Sequence, residues 1–572
     1  MNLSPNKWMS RLALLAAVIV IIAAFIMLYL SPEKPPASQA FINGEVITMD
    51  ANSTIAQAVF VQENQIVAVG DNQQIESLIS DNTLVYDLQG KTLVPGLIDS
   101  HSHFPGSGMS LFMADLRSPP VGPITNIPAL LQRLQDKAKD TPKGEWVNGF
   151  GYDNLMLDEN RHPSRDELDR ALPDHPVFIL HVSGHMGVTN SLGLIETNIS
   201  EESRDPEGGH YARDKNGRLN GLLEEHAATP LQANMLDLGI IEFLRMVTYS
   251  NNDYLKTGVT TAQNGAVSLE MAQGLKIAKM LNLTPLRLEL WPQFDNFGLG
   301  FLDGSIRAED YSRDRLNIGA IKIIADGSIQ GYTGYLSEPY HEPFHGDAEY
   351  RGYPRVAYPE LAEWIKKYHS AGFQLAVHGN GDASIDDILD GFEQAQKAFP
   401  TEDPRLILIH AQMAREDQLA RMKILGVTPS FFSAHTYYWG DMHRDVTMGE
   451  ERANRISPAR TAVENGLRFS SHLDTPIVPM SPLLSVWSVV NRLSATGKLI
   501  GADERIDVMQ ALRTVTIDAA WQIYREQDLG SIEAGKLADL VVLESSPLVD
   551  PLTIKDIKVE RTIIGGVTVY QH

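Results

Sequence analysis

The chain has 572 residues, no cysteine, and a formal net charge of −24. Without cysteine there is no disulfide, no thiolate nucleophile and no cysteine-ligated zinc. Acidity spread along the whole chain reads as a solvated surface, and the lack of a basic footprint excludes a nucleic-acid partner.

The first element is an uncharged apolar run of 19 residues at 12–30 (LALLAAVIVIIAAFIMLYL). As a helix it would be about 28 Å long, close to the hydrocarbon thickness of a bilayer. Lys7 and Arg11 precede it, and a polar, proline-bearing linker follows. Residues 1–39 are therefore expected to form a cytoplasmic stub, one transmembrane signal anchor and a linker. That makes a single-pass protein of the inner or cell membrane, with the rest of the chain on the periplasmic or extracytoplasmic side. The alternative is secretion after signal-peptide cleavage at Ser38-Gln39-Ala40. The run is longer than a usual signal core and Ala40 lies ten residues beyond its end, which favours the uncleaved anchor.

From Ala40 the pattern becomes short alternating runs (FINGEVITM, AVFVQENQIVAVG, LVYDLQGKTLVPG), and the C-terminus has the same character (GKLADLVVL, VERTIIGGVTVY). Residues 40–93 and 530–572 are expected to build one small β-sandwich domain from both chain ends. Between them, 94–529 alternates strand and helix. TLVPGLIDSH, TGVTTAQNG, PLRLELWPQF, NIGAIKIIADG, FQLAVHG, RLILIHA, GVTPSFF and LRFSSHLD read as eight strands. YPELAEWIKKYHSAG and AREDQLARMKILG lie between strands at helical period. The fold class is thus α/β, a (β/α)8 TIM barrel of ~250 residues with insertions. The stretch at about 105–245 is too long for one βα connection and is expected to be an insertion over the active-site face.

Six residues close these strands: His101 and His103 in the first, Lys322 in the fourth, His378 in the fifth, His410 in the sixth and Asp474 in the eighth. Side chains at the carboxyl ends of barrel strands meet on one face. His-x-His puts two imidazoles on the same side of an extended segment, within reach of one metal. Lys322 lies in an apolar strand, where an unpaired ammonium is costly. It is either paired, with Asp326 the nearby candidate, or converted by carbon dioxide to a carbamate that bridges two cations. Asp474 is either a turn residue before Thr475-Pro476 or a carboxylate that binds metal and shuttles a proton. His472, two residues before Asp474, is read as structural.

GLIDSHSHF, IKIIADGS, His378, His410, Asp474 and the tail GSIEAGKLADLVVL together resemble the amidohydrolase superfamily. WVNGFGYDN, SGHMGVTNSLGL, DGSIQGYTGYLSEPY and HLDTPIVPMSPL are similar to its amidohydrolase-3 branch, the YtcJ-like group related to N-substituted formamide deformylase. The resemblance covers the chain from about residue 40 onward. It implies a barrel with a β-sandwich-like domain, one or two divalent metals, commonly zinc, and hydrolysis of a C–N bond, usually an amide, by a metal-activated hydroxide. It also implies that His101, His103 and Asp474 hold one metal, His378 and His410 the other, and that carbamylated Lys322 bridges them. His185 and Asp153 (in Tyr152-Asp153) match positions that the family places near the substrate, whereas His181 has no assigned role.

The expected activity is therefore hydrolysis of an N-acyl or N-formyl bond in a small molecule. A nucleobase-type deaminase on the same fold typically carries a glutamate three residues after the fifth-strand histidine and no bridging lysine. Here Gly379-Asn380-Gly381 follows His378, and Lys322 is present. A lactonase or esterase would use the same groups and stays open. A catalytically inactive barrel acting as a scaffold would have lost ligands, and all six are intact. Nothing fixes an oligomeric state, so a homo-oligomer stays open too.

Overall fold

The computed structural model describes residues 33–344 and 346–572. The apolar run at 12–30 lies outside the described residues. Among those described, no helix is long and apolar enough to cross a membrane.

Eight strand positions follow one another in parallel. They are β1 (Leu97–Ser102), β2 (Val259–Val267), β3 (Arg287–Pro292), β4 (Leu316–Ile318, resuming as Ile321–Ile324), β5 (Leu375–Gly379), β6 (Leu406–His410), β7 (Val427–Phe431) and β8 (Ser470–Ser471). Register runs Thr261↔Ile98, Leu288↔Ala262, Leu316↔Leu288, Ala376↔Lys322, Ile409↔His378, Ser430↔Ile409 and Ser470↔Ser430. Gln293 bridges to Lys322 and carries the order across the break in β4. The seam between β8 and β1 is drawn together just beyond the strands, where Asp474 N donates to His101 O at 3.2 Å and His103 N to Thr475 O at 2.8 Å. This is the order of a (β/α)8 barrel, and it explains the continuous apolar runs. Strands covered on both faces have no solvent side to alternate with, and β5, β6 and β7 are buried at every position.

The outer helices bury one stripe each. Asp382–Ala398 buries Ile385, Ile388, Leu389, Phe392 and Ala395, spaced three and four apart. Glu416–Leu425 stops at Gly426, whose φ of 68° is the left-handed cap that glycine adopts without a Cβ clash.

Strands from both chain ends share a six-stranded sheet, in which Leu540–Leu543 runs antiparallel to Thr92–Pro95 (Val541↔Val94). A second sheet of four strands includes Ser38–Ile42, which begins two residues before Ala40. Phe41, Val59, Leu93, Leu540 and Ile563 form the core between them. Between β1 and β2 the chain builds another six-stranded sheet, from Ala114–Asp115 through Leu219–Glu225, with an apolar core of its own.

Candidate metal centre

The carboxyl ends of the barrel strands bring six residues together, and the backbone aims them. His410 and Asp474 both hold positive φ, 68° and 57°, so the chain turns sharply at the end of β6 and just beyond β8. Such left-handed conformations in non-glycine residues cost on the order of 1–3 kcal/mol and persist where the surroundings impose them.

His101, His103 and Asp474 offer donor atoms that all lie within 4.8 Å of one another. Asp474 Oδ1 stands 3.1 Å from His103 Nε2 and 3.4 Å from His101 Nε2. His103 Nδ1 donates to Gly265 O at 3.1 Å, which turns its Nε2 to the carboxylate. Gly265 is required there, because a Cβ would stand 2.2 Å from His101 Cε1. The His101 ring stacks on Trp291 with centroids 5.5 Å apart.

His378 and His410 form the second pair. His378 Nε2 donates to Gly327 O at 3.1 Å, so its Nδ1 presents a lone pair to His410 Nε2, also at 3.1 Å. His410 Nδ1 in turn lies 3.1 Å from His472 Nε2, and His472 Nδ1 lies 3.0 Å from Ser430 Oγ. A proton on His410 Nδ1 and another on His472 Nδ1 satisfy this relay and free His410 Nε2. His472 thus holds the tautomer of His410 rather than joining the cluster. Asp326 pins the turn after His378, accepting from the amides of Asn380 (2.9 Å), Gly381 (2.9 Å) and Tyr335 (3.0 Å).

Lys322 Nζ lies between the two groups, buried and 3.1 Å from His101 Nε2. Asp326, the partner suggested by sequence, is instead turned to that amide nest and to His378 (3.5 Å). Burial pushes the Lys322 ammonium down to about 7, against the pull of the Asp474 carboxylate. Burial also drives His101, His378 and His410 well below the ordinary imidazole value, so all three are neutral at pH 7. Burial raises the Asp474 carboxyl, but the His103 hydrogen bond and the neighbouring histidines outweigh it and hold the group well below the usual carboxylate range.

His185 flanks this cluster, its ring centroid 5.1 Å from that of His378. Its Nδ1 lies 2.9 Å from Glu225 Oε2, which also accepts from Arg355 Nη1 at 3.0 Å. The sequence reading missed Glu225 and Arg355. Glu225 has only the signal of an acidic pair ending the apolar run GLLEE, and Arg355 lies far away in the loop between β4 and β5. Asp153 is not part of the cluster: its Oδ2 accepts from Trp439 Nε1 at 2.9 Å and its Oδ1 from Leu155 N at 3.0 Å. His181 packs beside it, with Nε2 3.8 Å from Asp153 Oδ1.

The donor set fits divalent cations. Two nitrogens on one tetrahedral zinc at ~2.0–2.1 Å stand ~3.3–3.4 Å apart, close to the His378–His410 separation. Neutral imidazoles, an ionised carboxylate and tautomers fixed by carbonyl acceptors are what such a site requires.

The profile of the amidohydrolase family, third group, matches residues 84–570. N-substituted formamide deformylase of Arthrobacter pascens is 31% identical over 542 residues, covering 93% of this chain and 98% of its own length. Putative amidohydrolase YtcJ of Bacillus subtilis is 28% identical over 550 residues, covering 92% and 98%. Among solved structures, an uncharacterized metal-dependent hydrolase of Pyrococcus horikoshii superposes with a TM-score of 0.70 at 26% identity, over 90% of this chain and 99% of its own.

Proposed function

The chain belongs to the amidohydrolase family, in its amidohydrolase-3 branch, and from that premise we propose that it hydrolyses the C–N bond of a small N-acyl or N-formyl amine. The observation that carries this reading is the convergence of His101, His103 and Asp474 beside a second pair of facing imidazoles, His378 and His410, with a buried lysine between them. His101, His103 and Asp474 would hold one ion, and His378 and His410 the other. When bound, divalent ions such as zinc supply Lewis acidity toward a carbonyl oxygen and make water a nucleophile at neutral pH.

The remaining work falls to side chains. Asp474, ionised and hydrogen-bonded to His103, accepts the proton released as water attacks the acyl carbon and returns it to the departing amine. Lys322, short of a carboxylate partner and with its ammonium destabilised by burial, carries a neutral amine that can add carbon dioxide. In that step the N–C bond would form as one C=O π bond of carbon dioxide opens onto oxygen, the nitrogen's proton would pass to solvent, and the carbamate would supply anionic oxygens beside the histidines. His185, held through Nδ1 by Glu225, keeps its ring 5.1 Å from that of His378, within reach of a substrate at the centre.

Loss of either His378 or Lys322, as His378→Ala or Lys322→Ala, should lower metal occupancy of the purified chain from about two ions toward one. Full occupancy in both variants contradicts a two-ion site. A panel of N-formyl and N-acetyl amines, offered beside matched esters and lactones, tests the bond class, and preferential turnover of the esters replaces the amidase reading with an esterase.

A further inference from the structure

The barrel is not filled with hydrocarbon alone. Gln263 on β2, Ser430 on β7, Ser470 on β8 and Gln522 on the helix Ile517–Gln522 are completely buried and hydrogen-bonded end to end. Gln522 O accepts from Gln374 Nε2, just before β5, at 2.8 Å, which places this residue at the amino-terminal floor of the barrel. Such interiors are usually packed with branched apolar side chains, and a buried polar group is costly unless it is hydrogen-bonded. A column of them running up to the histidines asks for a role.

The hydrogen bonds have one direction, which can be followed from the floor upward. Ala519 O and Ser100 O are backbone carbonyls that can only accept, so they take protons from Gln263 Nε2 (3.0 Å) and Gln522 Nε2 (3.2 Å). That turns Gln263 Oε1 to Gln522 Nε2 at 2.7 Å. It also turns Gln522 Oε1 to the Ser470 hydroxyl, which donates to it at 2.6 Å. The Ser100 hydroxyl donates to Ser471 O at 3.0 Å. Ser430 Oγ lies 2.8 Å from Ser470 Oγ and 3.3 Å from Ser100 Oγ, and both of those protons are directed to carbonyl oxygens. Ser430 therefore turns its own proton to Ser100 Oγ and a lone pair to His472 Nδ1, 3.0 Å away. A proton on His472 Nδ1 leaves Nε2 to accept from His410 Nδ1 at 3.1 Å, and His410 Nε2 is free for a metal. The reverse direction would set Ser470 Oγ against Gln522 Oε1 with no proton between them.

We propose that Ser430, Ser470, Gln522 and Gln263 are positioning residues for the metal centre. Their column fixes the tautomer of His472 and, through it, presents the His410 lone pair to the ion shared with His378. The inference rests on the metal-dependent reading of that centre. The group that holds the second ring nitrogen of a metal-binding histidine fixes its tautomer, and losing it costs ~10–100-fold in metal affinity. Here that group is another histidine, which has two tautomers of its own, so the choice has to be set from further away.

The test is the zinc affinity of the full-length chain, measured for each ion by competition with a chelator, in Ser430→Ala, Ser470→Ala and Ser485→Ala. Ser485 is the control: it is equally buried and its hydroxyl lies 2.6 Å from Ser471 Oγ, but it is outside the column. Ser430→Ala should weaken one of the two ions by ~10–100-fold. Ser470→Ala should weaken it less, because Ser100 Oγ still accepts from Ser430, and Ser485→Ala not at all. In His472→Phe the same ion should already be weakened, and adding Ser430→Ala should change nothing further, since the serine acts only through that imidazole. His472→Leu provides the background if the phenylalanine variant does not fold. Three results overturn the proposal: wild-type affinity in Ser430→Ala, an equal loss in Ser485→Ala, or a Ser430→Ala loss that persists undiminished without His472. A wild-type chain that takes up no zinc counts against the metal-centre reading itself, and the proposal falls with it.

Discussion

Asp474 carries a left-handed backbone (φ 57°) three residues beyond β8, a conformation that Asn also tolerates. Asp474→Asn therefore keeps the turn while removing the proton acceptor. It should lower kcat on N-formyl amines by ~10²–10⁴-fold with the melting temperature unchanged. Unimpaired turnover would remove Asp474 from the chemistry. Glu225 is also strained, at φ 49°, and lies buried beneath His185. In Glu225→Gln the His185–Arg355 bridge loses its charge, and kcat should fall at least tenfold with metal content and melting temperature preserved; Glu225→Asp should recover part of the loss. A variant that only melts earlier would make Glu225 a packing residue. At this scale His101, His103, His378, His410 and Asp474 were legible in sequence because each closes or follows an apolar run, and Lys322 because a charge interrupts one. Glu225, Arg355 and Gly265 were not, because their roles depend on contacts between segments far apart in the chain.

At the scale of elements, the helix Asp382–Ala398 carries β5 to β6 and so holds His378 and His410 in register. Ile388 is fully buried on its inner stripe. Ile388→Ala should cost ~2–5 kcal/mol, read as a lower denaturation midpoint, while the folded fraction binds metal as before. Loss of metal without loss of stability would show that the helix sets the site rather than the core. The barrel strands were readable because burial on both faces writes unbroken apolar runs, as in LILIH. β8 shows the limit of that signal: a longer run, LRFSSHLD, was expected, and only Ser470–Ser471 pair in strand geometry. The segment at 105–245 gave away little beyond its length. Its six-stranded sheet mixes parallel and antiparallel neighbours, a pairing that periodicity cannot specify.

For the whole molecule, the position of the first described strand bears on the two localisation readings. Ser38–Ile42 pairs on both sides, with Ala58–Gln62 and Leu84–Asp87, and the buried Gln39 side chain donates to Gly566 O at 2.7 Å. Cleavage after Ala40 would remove three of the five residues of that strand. We therefore favour the uncleaved anchor at 12–30. The full-length chain should pellet with membranes, resist extraction at alkaline pH and retain its original N-terminus; a mature form beginning at Phe41 contradicts this. The central claim, a two-ion centre organised around Lys322, is tested most directly by counting metal in the purified chain with and without added bicarbonate. About two divalent ions per chain, rising toward that value as bicarbonate is supplied, is the predicted result. A folded chain that binds no stoichiometric divalent metal at any bicarbonate concentration would contradict it.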